Sequence, residues 1–277
     1  MLNDTNSKDH IAGAKVVAAF KGGSAEIESS RTRIDGFAKD LQEKYQIRFV
    51  NSIPELCSMV DAVLLESVDA RQHLEQARQV IAARKPLFID KPLASTLEDA
   101  RAIAKLASDA NVRWFSSSSL RFGGVDRLKG SAVVGAETWG PGPLESHHYL
   151  ELGWYAIHPL EMLYVLMGTG CEEVSRVSTA DTDVVVGKWK DGRIGVLRAL
   201  RPYSKYGAVA FHRAAKEQSF EIAPDPNEGY APLVQAIVKF FQGGAAPVTS
   251  EETLEMFAFL DAAQRSKEAG GKPVSLR

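Results

Sequence analysis

Residues 61–92 read DAVLLESVDARQHLEQARQVIAARKPLFIDKP, and this stretch decides the fold class. Residues 62–65 and 86–89 are short apolar runs, which are typical of buried strands. Between them, residues 70–83 carry apolar side chains at helical spacing. A strand, a helix and a second strand in this order predict a βαβ unit, whose strands run parallel in one sheet.

The same alternation of strand and helix continues on both sides of this unit. Further strands are predicted at 14–20, 47–50 and 113–117, and further helices at 37–45, 53–57 and 97–110. Ser52 and either Ser95 or Thr96 are the expected N-caps of two of these helices. We therefore expect an α/β domain over residues 1–122, a Rossmann-like, doubly wound parallel sheet with helices on both faces.

The pattern changes after Gly123 and Gly124, where strand-like segments follow one another with few helices between them. Strands are predicted at 173–179, 184–189, 194–200, 209–212 and 220–222, and helices at 156–167, 233–241 and 251–267. Asp191 and Gly192 tolerate the positive φ of a hairpin turn, which favours antiparallel pairing of the flanking strands. Residues 123–277 are thus expected to form an α+β domain with an open, mainly antiparallel sheet.

Composition narrows the classes of partner and compartment. The 277 residues include 33 Lys and Arg against 35 Asp and Glu, and this balance of −2 favours neither a nucleic-acid nor a membrane partner. Two distant cysteines, Cys57 and Cys171, exclude a disulfide framework and a cysteine-rich zinc site. The opening residues lack the pattern of a signal peptide, and the chain has no run of 18 apolar residues, so a cytoplasmic location is expected.

Polar residues follow three of the predicted strands, at residues 21–24, 66–69 and 90–92. Ligands of an open α/β sheet bind at the carboxyl ends of its strands, so these residues are candidate ligand contacts. Lys91, followed by Pro92, could donate to a substrate hydroxyl or assist proton transfer. The alternative is a surface salt bridge between Lys91 and Asp90.

Several segments resemble the glucose-fructose oxidoreductase / inositol dehydrogenase (Gfo/Idh/MocA) family. Residues 85–94, with Asp90-Lys91-Pro92, are similar to its Glu-Lys-Pro segment, and residues 61–65 with His73 are similar to the strand and helix before it. His158-Pro-Leu-Glu161 resembles its His-x-x-Asp helix, and residues 251–274 its closing helix and strand. The resemblance implies a nicotinamide-dependent oxidoreductase of sugars, polyols or related carbinols, whose open C-terminal sheet serves as an oligomer interface.

The resemblance also implies roles for individual residues. Lys91 matches the catalytic lysine, which polarises the substrate oxygen, and His158 matches the histidine that takes the hydroxyl proton directly or through a linked group. Arg121 matches an arginine of the family that faces the cleft, although pairing with an acid at the domain junction is an alternative. The expected cofactor-binding residues are Lys21, Ser24, Glu66, Ser67, Asp69, His73, Asp90, Lys91, Pro92 and Arg121.

Two departures from the family pattern affect the functional prediction. Trp154 occupies the position, four residues before His158, where the family usually has an aspartate. No Gly-x-Gly-x-x-Gly loop precedes residue 14, so the first β-α unit is expected to be missing and to leave a gap in the sheet. We expect the natural start to lie upstream, in which case an export signal could lie there too. A cofactor-free relative that binds a carbohydrate or a partner is the second hypothesis.

The end of the first predicted strand bears on cofactor choice. Lys21 follows this strand with no acid directly after it, and Arg31 and Arg33 come later, which favours NADP over NAD. The alternative is that Lys21 is a solvated loop residue.

Histidines and glutamates gather in the second half of the chain. The expected substrate-facing residues are Glu145, His147, His148, Trp154, Tyr155 and Glu161. Histidine and glutamate can also hold a metal, so a metal-dependent lyase or hydrolase that uses His147, His148 and His158 is a third hypothesis. No short zinc motif supports it, and no metal ligand is assigned.

Overall fold

The computed structural model describes residues 1–130, 133–213 and 218–276, and the chain forms two compact units. The first unit comprises Met1–Ala94, Glu98–Ser116 and Leu233–Ser250. The second comprises Ser95–Leu97, Ser117–Pro232 and Glu251–Arg277. Among the described helices, none has the length and apolar character needed to span a membrane.

Short strands and medium-length helices follow one another along the described residues. The strands are β1 (Ala18–Phe20), β2 (Arg48–Val50), β3 (Val63–Leu65), β4 (Leu87–Ile89), β5 (Trp114–Ser116), β6 (Val133–Pro141), β7 (Cys171–Ser178), β8 (Thr182–Trp189), β9 (Ile194–Leu200), β10 (Gly207–Arg213), β11 (Gln218–Pro224) and β12 (Val274–Ser275). The α-helices are α1 (Glu28–Arg31), α2 (Ile34–Tyr45), α3 (Ile53–Met59), α4 (His73–Ala82), α5 (Leu97–Asp109), α6 (Gly153–Met167), α7 (Ala231–Phe241) and α8 (Ser250–Glu268). Ser52 caps α3 as predicted, since its side chain accepts from the Glu55 amide.

The first unit has the predicted parallel, Rossmann-like architecture, but its strands form two separate sheets. β1 pairs with β2, and β3, β4 and β5 pair in that order, all in parallel. The described residues ahead of β1 form turns, with no strand or helix. The division therefore falls where the sequence predicts a missing central strand.

A C-terminal segment completes the core of the first unit. Phe88 in β4 contacts Phe115 in β5, and Phe115 contacts Phe240 in α7, each pair edge to face at 5.0 Å. The Arg113 guanidinium lies 4.5 Å from the Phe240 ring and donates to its carbonyl oxygen. Residues 233–250 thus pack with the N-terminal unit, whereas the predicted domains 1–122 and 123–277 assign them to the second. That two-domain division itself stays a prediction.

The second unit is built on the predicted open, mainly antiparallel sheet. Its strand order is β11-β10-β6-β9-β8-β7-β12, and the β6–β9 pair is the parallel exception. Helix α6 packs on β6 and β9 and is buried along nearly its whole length. Gly168 ends α6 with a positive φ of 66°, and its carbonyl oxygen accepts from the buried Trp189 indole.

Candidate functional site

A group of charged residues lies at the carboxyl ends of β3 and β4. We call Glu66, Asp90 and Lys91 the strand-end cluster. Lys91 Nζ lies 3.9 Å from Asp90 Oδ2, and both side chains are partly exposed, so the salt bridge foreseen as an alternative is present. Although Glu66 is exposed as a residue, protein atoms around its carboxyl group raise its pKa to about 8. Repulsion by Asp90 also raises this pKa, whereas attraction by Lys91 lowers it. A lysine and two carboxyl groups thus lie at the predicted ligand edge.

His73, predicted to contact a cofactor, is fully buried between two loops of the first unit. Its Nδ1 lies 3.0 Å from the Leu93 carbonyl oxygen, and its Nε2 lies 2.7 Å from that of Ser67. Burial lowers the pKa of its imidazole, although the hydrogen bonds to the two carbonyl oxygens act to raise it. These contacts tie the loop after β3 to the segment after Lys91, where Pro92 is also buried. His73 therefore positions the strand-end cluster through the backbone.

An open hollow of about 450 Å³ lies at the carboxyl ends of β1 and β3. Its lining residues are Gly23, Ser24, Ala25, Glu26, Asp69, Arg71 and Gln72. Arg71 Nη2 donates to Asp69 and to the exposed Glu26, at 2.6 Å and 2.5 Å. Although burial opposes it, hydrogen bonds from Arg71 and Ser24 lower the pKa of Asp69. The sequence analysis identified Ser24 and Asp69 but missed Arg71, despite its position beside Asp69.

Lys21, predicted to favour a phosphate, has a partner within the protein. Its Nζ lies 2.5 Å from Asp35 Oδ1 on α2, and both side chains are well exposed. Surface pairs of this kind contribute little and rearrange easily. Lys21 lies outside the lining of the hollow, and as a cofactor contact it stays a prediction.

The second unit contains a chain of buried polar contacts around α6. We call Ser118, Arg121, His158, Glu161 and Glu252 the buried network. His158 Nδ1 lies 2.6 Å from Ser118 Oγ, and Glu161 Oε1 accepts from the Ser118 amide at 3.1 Å. Burial raises the pKa of Glu161, and the guanidinium of Arg121 opposes this effect.

Arg121 joins two helices of the second unit. It donates from Nε to Glu161 on α6 and from Nη2 to Glu252 on α8, the latter at 2.6 Å, and its side chain is 10% exposed. The acid pairing foreseen as an alternative is therefore present. As a cofactor contact Arg121 stays a prediction.

The remaining predicted substrate residues are not gathered in one group. His147 Nδ1 pairs with Glu145 at 2.6 Å in an exposed loop, whereas His148 is buried and contacts Trp154 edge to face at 5.2 Å. Across residues 1–130, 133–213 and 218–276, no three His, Cys, Asp or Glu side chains form a group that could hold a metal. The described geometry thus gives no support to the metal-dependent hypothesis.

Two aromatic rings flank His158. Tyr155 and Tyr206 contact it edge to face at 5.6 Å and 5.7 Å, and Tyr206 is itself largely buried. The sequence analysis missed Tyr206 and Ser118. A signal existed for Ser118, because its hydroxyl follows β5 directly, but none for Tyr206, which is remote in sequence.

Comparison with known proteins gives two results. Residues 6–118 match the Gfo/Idh/MocA model, described as an oxidoreductase family with an NAD-binding Rossmann fold. The search of curated proteins found no match.

Solved structures match over nearly the full chain. A putative myo-inositol dehydrogenase from Sinorhizobium meliloti has a TM-score of 0.74 and 16% identity over 97% of this chain and 94% of that one. An Agrobacterium radiobacter oxidoreductase in complex with NAD+, L-tartaric acid and magnesium has a TM-score of 0.73, with 13% identity over 96% and 92%. Apo scyllo-inositol dehydrogenase from Lactobacillus casei has a TM-score of 0.71, with 15% identity over 96% and 91%. At these identities the similarity establishes the fold.

Proposed function

We propose that this chain, whose residues 6–118 match the model of the Gfo/Idh/MocA oxidoreductases, transfers hydride between a nicotinamide dinucleotide and a sugar, polyol or related carbinol. The observation that carries the proposal is the position of Lys91. It follows β4 at the carboxyl edge of a parallel sheet, where ligands of such sheets bind, within the segment that the family model matches.

The hollow at β1 and β3 suits one end of a dinucleotide. Arg71 presents a guanidinium, which pairs well with phosphate. A ligand phosphate would compete with Glu26 for Arg71. We propose NADP over NAD, because Arg71 lines the hollow and no acid directly follows β1.

The protein's own residues supply binding and polarisation. When bound, the dinucleotide provides or accepts the hydride. The Lys91 ammonium donates a hydrogen bond to the substrate oxygen and stabilises the negative charge that develops there. Asp90 lies 3.9 Å from the Lys91 ammonium, and the carboxyl group of Glu66, whose pKa is raised to about 8, is a candidate proton carrier.

A fluorescence titration of the purified protein tests this function. We expect NADPH emission to be enhanced in a saturable manner, and NADH to require a higher concentration. An activity assay completes the test. A panel of polyols that begins with myo-inositol is supplied with NADP+ or NAD+, and the formation of NADPH or NADH is measured. Failure of both dinucleotides to bind would overturn the proposal.

A cofactor-free binding protein is the second candidate, and one contact favours it. Gln72 Nε2 donates to the Gly23 carbonyl oxygen at 2.9 Å, so the loops after β1 and β3 touch directly. In a complete Rossmann sheet, a glycine-rich loop lies between these loops. If neither dinucleotide binds while a carbohydrate alters the tryptophan fluorescence, the second candidate replaces the first.

We also propose that the protein forms a homo-oligomer through the sheet of the second unit. Apolar side chains are exposed on strands β7 to β11, on the face opposite the buried residues: Val177, Val186, Ile194, Phe211, Phe220 and Ile222. Exposed apolar patches of this kind mark interaction surfaces.

Sedimentation equilibrium tests the oligomer. We expect the wild type to exceed 30.2 kDa and Phe220→Asp to weaken association by about tenfold or more, because a charge would be buried in an apolar interface. Tyr203→Asp, at an equally exposed aromatic outside the strands, is the control. A monomeric wild type would contradict the proposal.

A further inference from the structure

The hydrogen bond between Ser118 and His158 has a definite direction. Ser118 is fully buried, and its Oγ has two close partners, the Leu120 amide at 3.0 Å and His158 Nδ1 at 2.6 Å. The amide can only donate, so Oγ accepts there. Among the described residues, His158 Nδ1 is the acceptor available to the Ser118 hydroxyl hydrogen. A buried hydroxyl that failed to donate would lose a hydrogen bond, at a cost of about 1–3 kcal/mol.

Surrounding contacts keep this geometry in place. Glu161 lies one helical turn after His158 on α6 and accepts from the Ser118 amide. Helix α6 therefore carries His158 and also fixes the backbone of Ser118. Tyr155 and Tyr206 pack against the imidazole. Rotation of the ring away from Ser118 would displace these packed groups.

In a neutral imidazole only one of the two ring nitrogens carries a hydrogen. A ring nitrogen that accepts a hydrogen bond is therefore the one without it. We propose that Ser118 fixes neutral His158 as the tautomer with its hydrogen on Nε2, so that His158 acts as a hydrogen-bond donor and not as a proton acceptor at that nitrogen. Ser118 is thus a positioning residue. The donor role toward a substrate oxygen rests on the proposed function, whereas the tautomer does not.

The residue at position 154 agrees with this assignment. A carboxylate there, one turn before His158, would be available to pair with an imidazolium. In its place, Trp154 contacts His148. With Nε2 already protonated, His158 would not take the hydroxyl proton at that nitrogen, and removal of this proton would fall to another group.

Nitrogen-15 NMR of the full-length protein, labelled in its histidine rings and free of cofactor, tests the tautomer. His158→Gln identifies the His158 signals. We expect the wild type at neutral pH to show an unprotonated Nδ1 and a protonated Nε2. Ser118→Ala should shift the Nδ1 signal and populate the second tautomer, whereas Ser118→Thr retains the hydroxyl and should preserve the wild-type pattern.

Ser119→Ala is the matched control, since it removes a neighbouring buried hydroxyl outside this contact. A wild-type ring with its hydrogen on Nδ1, or identical spectra for Ser118→Ala and Ser119→Ala, would overturn the assignment.

A pair of substitutions at His158 tests the donor role, with myo-inositol and NADP+ as the first probes. Gln presents an N–H near the position of Nε2 but cannot take a proton. We expect His158→Ala to lower kcat by about 100-fold, as for loss of one oxyanion donor, and His158→Gln to retain at least a tenth of the wild-type rate with the same pH profile.

Equal losses in the Gln and Ala variants would show that His158 is the proton acceptor and overturn the donor role. Failure of the wild type to bind either dinucleotide would overturn the proposed function, and the donor role with it, while the NMR result would still decide the tautomer.

Discussion

The strand-end cluster and the buried network differ in what surrounds their charges. In the cluster, Lys91 and Asp90 are 3.9 Å apart and partly exposed, so their geometry can adjust to a ligand. In the network, Arg121 and Glu161 are nearly inaccessible, and Glu161 also accepts from the Ser118 amide. Their arrangement is fixed by the fold.

This difference separates two ways of preparing a site. Buried polar groups must be satisfied in one arrangement, and that requirement gives His158 a single orientation and tautomer. Partly exposed charges can rearrange around a ligand. Substitution of Arg121 or Glu161 should therefore affect mainly stability, and substitution in the strand-end cluster mainly chemistry.

The largest expected effect is on turnover. Lys91→Ala should lower kcat by about 100-fold to 10,000-fold, because it removes the cation that stabilises charge on the substrate oxygen. Its free energy of unfolding should stay within about 0.5 kcal/mol of wild type, since Lys91 is not a core residue. Steady-state kinetics and urea denaturation measure the two quantities.

Lys85→Ala is the matched control, because Lys85 precedes the amino end of the same strand, β4, away from the ligand edge. A Lys91 variant that turns over at the wild-type rate would break the comparison by removing the cluster from the chemistry.

The next effect is on stability. Glu161→Gln should lower the free energy of unfolding by about 2–4 kcal/mol, because Arg121 loses one of its two buried carboxylates and an amide group is forced against hydrogen-bond donors. Urea denaturation at neutral pH measures it. Glu251→Gln, at an exposed carboxylate in the first turn of α8, should cost less than about 1 kcal/mol. Equal losses would show that the network is no more rigidly held than the surface.

Local patterns allowed much of the fold to be predicted. The βαβ unit at residues 61–92 and the hairpin at Asp191 and Gly192 depend on residues close in sequence, and both are confirmed. Strand β6 was missed because Gly135, Gly140 and Pro141 interrupt its apolar pattern.

The site was harder to predict than the fold, because its contacts are remote in sequence. Arg121 is 40 positions from Glu161 and 131 from Glu252, so no spacing rule could identify these partners. The motif located His158, but the partner of its Nδ1, Ser118, was visible only in the structure.

The smallest effect concerns the pH dependence of the strand-end cluster. The pKa of Glu66 is raised to about 8, so the folded protein binds a proton that the unfolded chain releases near pH 4.5. This contribution to stability is complete below pH 4.5 and is lost as the pH rises through 8. Because Glu66 is exposed, the change should not exceed about 1 kcal/mol.

Glu66→Gln should therefore gain stability over wild type at pH 9 and little at pH 4, as measured by urea denaturation at both pH values. Glu43→Gln, at an exposed carboxylate on α2, should show no such pH-dependent gain. If Glu66→Gln showed none either, Glu66 would titrate as an ordinary surface acid, and the pH response that distinguishes the strand-end cluster from the buried network would be absent.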